Sequence, residues 1–234
     1  MAGGLGSRLR PLTDEVPKPL LPIGGRPILE IILYQLRDAG VDEVYISLGY
    51  KGELIRAYVG DGRRVGLRVR YVDEPTPLGT AGALGYVKDG VRGPLLVMNG
   101  DILTKLDLRA FHEGHVSAEA GITLGVREDR YQIPFGLVET QNGLVARIRE
   151  KPVQEYLVSA GIYVMSPKAI ERVMPGVRLD VPDLINDFVS RGGCVRYHLI
   201  REKWIDIGAM EDFHRANEER QEWVASAPRS PRRS

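Results

Sequence analysis

Apolar residues recur at helical spacing from Ile28 to Leu36 and stop before Gly40, after which Val44-Tyr45-Ile46-Ser47-Leu48 forms a short strand-like run. The alternation then repeats. Glu53 to Val59 is helical and closes at Gly60, Leu67 to Val72 alternates as a strand, a third helix begins near Thr80, and Leu95 to Met98 is a short buried strand. Such a series of β–α crossovers predicts an α/β fold with a Rossmann-like, mainly parallel sheet flanked by helices. The second half changes character. Strand patterns cover Ile122 to Val126, Phe135 to Glu139, Leu144 to Arg149 and Leu157 to Val164, with Asn142-Gly143 as a hairpin turn. They predict an added antiparallel or mixed region. A helix over Val181 to Arg191, a strand over Val195 to Ile200 and a last helix over Met210 to Val224 complete one domain, residues 1–225. Residues 226–234 are basic, lack apolar periodicity and read as a disordered tail.

Charge narrows the partners. Among 234 residues, 32 lysines and arginines nearly balance 31 aspartates and glutamates, so no global field draws the chain to nucleic acid or to a membrane surface. The single cysteine, Cys194, cannot close an intrachain disulfide, and no apolar run reaches membrane-span length. The expected location is the cytoplasm, and self-association into a homo-oligomer is left open.

The chemistry is concentrated near the start. Ala2-Gly3-Gly4-Leu5-Gly6-Ser7-Arg8 removes the side chains that keep a backbone away from a ligand, so successive N–H groups can turn toward an anion. Ser7, Arg8 and, ten residues on, Lys18 in Pro17-Lys18-Pro19 add donors and positive charge, a combination suited to a nucleoside triphosphate. The loop is neither of two common phosphate motifs. A P-loop carries its lysine inside the loop, and the dinucleotide fingerprint needs a third glycine where Leu9 stands. Asp101, in Asn99-Gly100-Asp101, follows the end of a buried strand, where open α/β sheets bind ligands. Asp206 lies between two isoleucines and needs a cation or several donors if it is buried. The chain has 25 arginines and only 7 lysines, which singles out Lys18 and Lys151, both flanked by proline. His112, His115 and His198 lack metal-ligand spacing and read as structural or surface residues.

Gly3 to Thr13 followed by Pro17 to Pro22 resembles the signature of the sugar-1-phosphate nucleotidylyltransferases, closest to mannose-1-phosphate guanylyltransferase-like members. The resemblance implies Mg²⁺-dependent transfer of a nucleoside monophosphate to a sugar-1-phosphate with release of pyrophosphate, on a nucleotide-diphospho-sugar transferase fold. It implies that Ala2, Gly3, Gly4, Gly6, Ser7 and Arg8 hold the triphosphate and that Lys18 contacts the reacting phosphates. Asp101 and Asp206 would bind the metal, the latter in a Trp-x-Asp-x-Gly motif. Gly136, Glu150, Lys151 and Ser159 fall in sugar-phosphate segments, with serine where many relatives carry asparagine. Glu74, Gly79 and Thr80 fall in the base-binding segment. A carboxylate at Glu74 complements guanine's paired N–H donors, which favours GTP, with mannose-1-phosphate as the favoured sugar. Uridylyl or thymidylyl transfer to another hexose-1-phosphate, a non-catalytic nucleotide-sugar sensor and a glycosyltransferase remain alternatives, although the last lacks the first aspartate of an Asp-x-Asp motif. The family's first strand has no counterpart before Ala2, so the sequence is expected to be clipped from a longer chain.

Overall fold

The computed structural model describes residues 6–224. Helix α1 (Ile28–Asp38) starts after Pro27 and buries Ile28, Ile31, Ile32 and Leu33 on its inner side. It ends where Gly40 takes a φ of +91°, letting the Val41 N–H donate back to the Leu36 carbonyl at 3.0 Å. Strand β1 (Glu43–Leu48) comes next and pairs in parallel with β2 (Arg68–Asp73), Ile46 opposite Tyr71, with α2 (Gly52–Val59) as the crossover. Ile55 and Val59 of that helix pack with Ile46 and Leu48 in one apolar cluster.

Short helix α3 (Leu84–Val87) leads to β3 (Leu95–Met98), β4 (Ile102–Thr104) and α4 (Leu108–Ser117). Asp107 caps α4 by accepting the Ala110 N–H at 2.9 Å. Strands β5 (Ile122–Gln132), β6 (Leu137–Gln141), β7 (Leu144–Arg149) and β8 (Val153–Met165) precede α5 (Val181–Ser190), β9 (Val195–Leu199), β10 (Trp204–Asp206), α6 (Met210–Glu218) and α7 (Arg220–Val224).

The larger sheet runs β9–β5–β8–β3 and is mixed. β9 is parallel to β5, whereas β8 is antiparallel to both β5 and β3. The chain passes from β5 to β8 through the β6–β7 hairpin with no crossover helix, so β8 must return antiparallel. That hairpin turns at Asn142 and Gly143, with φ of +50° and +80°, as their sequence predicts.

Three boundaries move. β5 and β8 continue beyond the core as a two-stranded arm carrying exposed Tyr131, Val153 and Tyr156, where the polar letters hid the strand. The third helix starts at Leu84 instead of Thr80, because Thr80 is tied to α5: its N–H and hydroxyl reach Asp180 Oδ1, and its Oγ1 accepts the Val181 N–H at 2.8 Å. The last helix breaks at Glu219. Residues 226–234, read as a tail, lie outside the described residues.

The largest core cluster joins Leu9, Ile28, Met98, Ile102, Ile162 and Trp223. It therefore clamps the segment after the glycine loop against β3, β4, β8 and the C-terminal helix. No helix of the described residues is long and apolar enough to cross a membrane.

Candidate active site

Asp101 sits in the turn from β3 to β4. The Asn99 N–H donates to the Gly161 carbonyl at 3.0 Å, tying this turn to β8. β4 pairs antiparallel with β10, Ile102 opposite Asp206, and the Ile207 N–H donates to the Asp101 carbonyl at 3.0 Å. This short ladder brings the two aspartates together from distant parts of the chain.

Lys18 reaches them from the third direction. Its Nζ lies 2.5 Å from Asp101 Oδ2 and 4.0 Å from Asp206 Oδ1, with only 12% of the side chain exposed. Its stem packs beside Gly6. A Cβ on Gly6 would stand 2.8 Å from Thr13 Cγ2 and 3.4 Å from Lys18 Cβ, and the φ of +61° is one that side chains resist. Thr13 Oγ1 donates to the Gly6 carbonyl at 2.9 Å and fixes the turn, while buried Leu9 anchors its far end in the core. Ser7 and Arg8 remain exposed on that turn. Arg8 leans toward the same place, since a Cβ on Gly208 would meet its Nη2 at 3.5 Å.

The electrostatics are those of a site short of positive charge. Burial raises the pKa of Asp206 and the neighbouring Asp101 carboxylate raises it further, while Lys18 and Arg8 pull it down. The Oδ1 atoms of Asp101 and Asp206 are both buried without a hydrogen-bond partner. Two such oxygens fit a divalent cation, and Mg²⁺, which binds through one or two carboxylates with water and substrate phosphates, matches this donor set. Among the described residues no group of three or more His, Cys, Asp or Glu forms a ready metal cage. A phosphate-borne ion needs none.

The remaining candidates form two further groups. Gly136, Glu150 and Lys151 meet at the base of the β6–β7 hairpin: a Cβ on Gly136 would stand 3.2 Å from Glu150 Oε2, and the Lys151 N–H donates to the Phe135 carbonyl at 3.3 Å. Ser159 lies at a register shift in β8, its hydroxyl 2.9 Å from that of Tyr163, just before the Gly161 that holds Asn99.

In the base segment, Glu74 Oε2 accepts the Leu78 N–H at 3.1 Å, so half of this carboxylate closes its own turn. Gly79 is dictated by a neighbouring stretch of its own chain. A Cβ there would stand 2.6 Å from the Leu179 carbonyl oxygen, so the glycine is required by the approach of that chain segment, whatever a base needs. Thr80 is likewise engaged by Asp180. Ala2, Gly3 and Gly4 lie outside the described residues.

Two residues outside the predicted site set, Gly161 and the Trp204 of the Trp-x-Asp-x-Gly motif, position the site. Gly161, at φ +69°, has no room for a Cβ between Ile102 and Asn99, and Trp204 donates from Nε1 to the Ala160 carbonyl at 3.0 Å. A glycine isolated within a strand pattern is the available signal for the first.

The nucleotidyl transferase family matches residues 1–222. A mannose-1-phosphate guanylyltransferase of Mycobacterium tuberculosis is 32% identical over 97% of the chain, which spans 65% of that relative's length. A D-glycero-alpha-D-manno-heptose 1-phosphate guanylyltransferase of Aneurinibacillus thermoaerophilus is 33% identical, over 96% of the chain and 98% of the relative. The crystal structure of HddC from Yersinia pseudotuberculosis complexed with GMP-PN superposes with a TM-score of 0.72 at 28% identity, covering 93% of this chain and 96% of that one. With the Lys18–Asp101–Asp206 cluster at the ends of its strands, the chain belongs to the nucleotidyl transferase family, among the sugar-1-phosphate nucleotidyltransferases.

Proposed function

We propose that this protein transfers a nucleoside monophosphate from GTP to mannose-1-phosphate. An oxygen of the sugar phosphate attacks the α-phosphorus, the bond from that phosphorus to the oxygen bridging the β-phosphate breaks, and pyrophosphate departs. Both reactants are polyanions. The protein's share is therefore alignment and charge neutralisation, without a covalent nucleophile.

The observation that carries this reading is the convergence of Lys18 on Asp101 and Asp206 beside the Gly6 turn. Asp101 and Asp206 would hold Mg²⁺, which when bound screens the phosphate charges and orients them. Lys18 holds the carboxylates in place and offers its ammonium to phosphate. Arg8, exposed and next to Gly208, is free to swing onto the departing pyrophosphate. Glu150 and Lys151 on the hairpin base would take a sugar hydroxyl and the sugar phosphate, and Ser159 a further hydroxyl.

The second Glu74 oxygen remains to accept from guanine. GTP is favoured on that ground, and on the guanylyltransferases among the relatives. The deciding experiment measures pyrophosphate release with four nucleoside triphosphates against mannose-, heptose-, glucose- and glucosamine-1-phosphates in the presence of Mg²⁺. GTP with mannose-1-phosphate should give the highest kcat/KM. Release that is absent with every pair sinks the proposal, and a different best pair corrects the base or the sugar.

A further inference from the structure

The turn that carries Glu74, Gly79 and Thr80 is fastened to the segment ahead of α5, 100 residues later. The Leu179 N–H donates to the Leu78 carbonyl at 2.9 Å, and the Leu179 carbonyl accepts the Ala81 N–H at 2.8 Å. Asp180 Oδ1 accepts from Thr80 twice, from the N–H at 2.9 Å and from the hydroxyl at 3.3 Å. In return, Thr80 Oγ1 accepts the Val181 N–H at 2.8 Å, so its backbone and its side chain are both fixed. Glu74 is joined to the same stitching, because its Oε2 accepts the N–H of the Leu78 whose carbonyl faces Leu179.

Asp180 occupies the N-cap of α5, where an aspartate ordinarily accepts an N–H from the first turn of its own helix. Its side chain makes no such bond. The carboxylate is turned toward Thr80, and the start of α5 finds its partner in the Thr80 hydroxyl. Its second oxygen meets Arg178 at 3.3 Å in an exposed ion pair, which contributes little. The side chain therefore serves the distant turn in place of its own helix.

We infer that Asp180 is a positioning residue for nucleotide selection: by holding Thr80 and, through Leu78, Glu74, it fixes the turn against the base. This rests on the reading that residues 74–80 receive the base of a nucleoside triphosphate. The remaining Glu74 oxygen can distinguish one base from another only if it is held still, since a carboxylate that drifts accepts from any N–H within reach. Packing leaves the turn a single seat. A Cβ on Gly79 would stand 2.6 Å from the Leu179 carbonyl oxygen and 2.7 Å from Asp180 Oδ1, so the turn and the segment ahead of α5 move together. The Gly6 turn and Lys18 take no part in these contacts, and the base and the polyphosphate should therefore respond separately.

The test measures the affinities of GTP, UTP, ATP, dTTP and pyrophosphate by calorimetry, with Mg²⁺ and without sugar phosphate, so that turnover is not needed. Asp180→Ala should weaken GTP at least about tenfold and lower the GTP-to-UTP ratio several-fold, while pyrophosphate binds as before. Asp180→Asn, whose amide oxygen accepts the same two hydrogens, should recover most of that loss. Asp187→Asn, on the same helix and paired with Arg191, should change neither value. Unchanged nucleotide affinities in Asp180→Ala overturn the inference whatever its melting temperature does, and so does pyrophosphate weakening in step with GTP. If that variant fails to fold, Thr80→Val deletes the hydroxyl and keeps the shape, and unchanged affinities there count equally against it. A wild-type protein that binds none of the four triphosphates sinks the reading of the base segment and the inference with it. One that binds them but releases no pyrophosphate with any sugar phosphate overturns the proposed reaction alone.

Discussion

The Ile207 N–H donates to the Asp101 carbonyl at 3.0 Å, and this bond closes the ladder that sets the Asp101 and Asp206 carboxylates side by side. Two like charges held together in a half-buried place are unfavourable until cations neutralise them. Lys18 supplies one positive charge, and the two orphaned oxygens are left for a second cation.

Asp101→Asn and Asp206→Asn should each retain the fold and lower kcat about 10²-fold or more, since a removed ligand weakens stabilisation of charge in the transition state. Steady-state pyrophosphate release across a Mg²⁺ titration checks this. Wild-type activity at limiting Mg²⁺ would remove the residue from the metal site.

Lys18→Arg should not rescue Lys18→Met. The ammonium is a compact point charge, largely buried between the Asp101 and Asp206 carboxylates with its stem beside Gly6, and a longer, planar guanidinium does not fit that 2.5 Å contact. Both variants should lose roughly 10-fold or more in kcat/KM, while melting temperature changes little. Full activity in the arginine variant would show that charge alone suffices.

Gly161→Ala should destabilise the protein by about 1–3 kcal/mol, because the new Cβ meets Asn99 Nδ2 at 2.6 Å at a φ of +69°. It should also lower turnover by displacing the Asn99–Asp101 turn. Gly143→Ala is the control: its φ is +80°, but nothing lies within 4 Å, so only the backbone cost, ~1 kcal/mol, is expected. Urea denaturation of both variants distinguishes the two contributions.

Stability should fall on acidification partly through His115. Its Nδ1 lies 2.9 Å from Thr123 Oγ1, and burial lowers its pKa below the ordinary 6.5. The native imidazole thus stays neutral where the unfolded one gains a proton. Its contribution is fully present above about 6.5 and is lost as pH falls toward the lowered native value. Denaturation curves between pH 5 and 8 should show a slope that is reduced in His115→Gln.

Glu74→Gln tests base selection apart from turn closure. The amide oxygen can still accept the Leu78 N–H, so the fold should hold, while the preference for GTP over UTP should decline several-fold. An unaltered ratio assigns Glu74 to the turn alone.

Local features are legible in the amino-acid letters alone. Apolar spacing locates α1, β1, α2 and β3, Asn142-Gly143 announces its turn, and the dense motif from Gly3 to Pro22 together with Asp101 and Asp206 points to the family and to the residues of the cluster. These depend on neighbouring letters, which a chain carries openly. Everything that depends on strand pairing had to come from the folded molecule. Only the β4–β10 register shows Asp206 beside Asp101, and only the packing of Leu179 against Gly79 explains that glycine. The antiparallel return of β8 arises from contacts between residues far apart in the chain, and no local pattern encodes those.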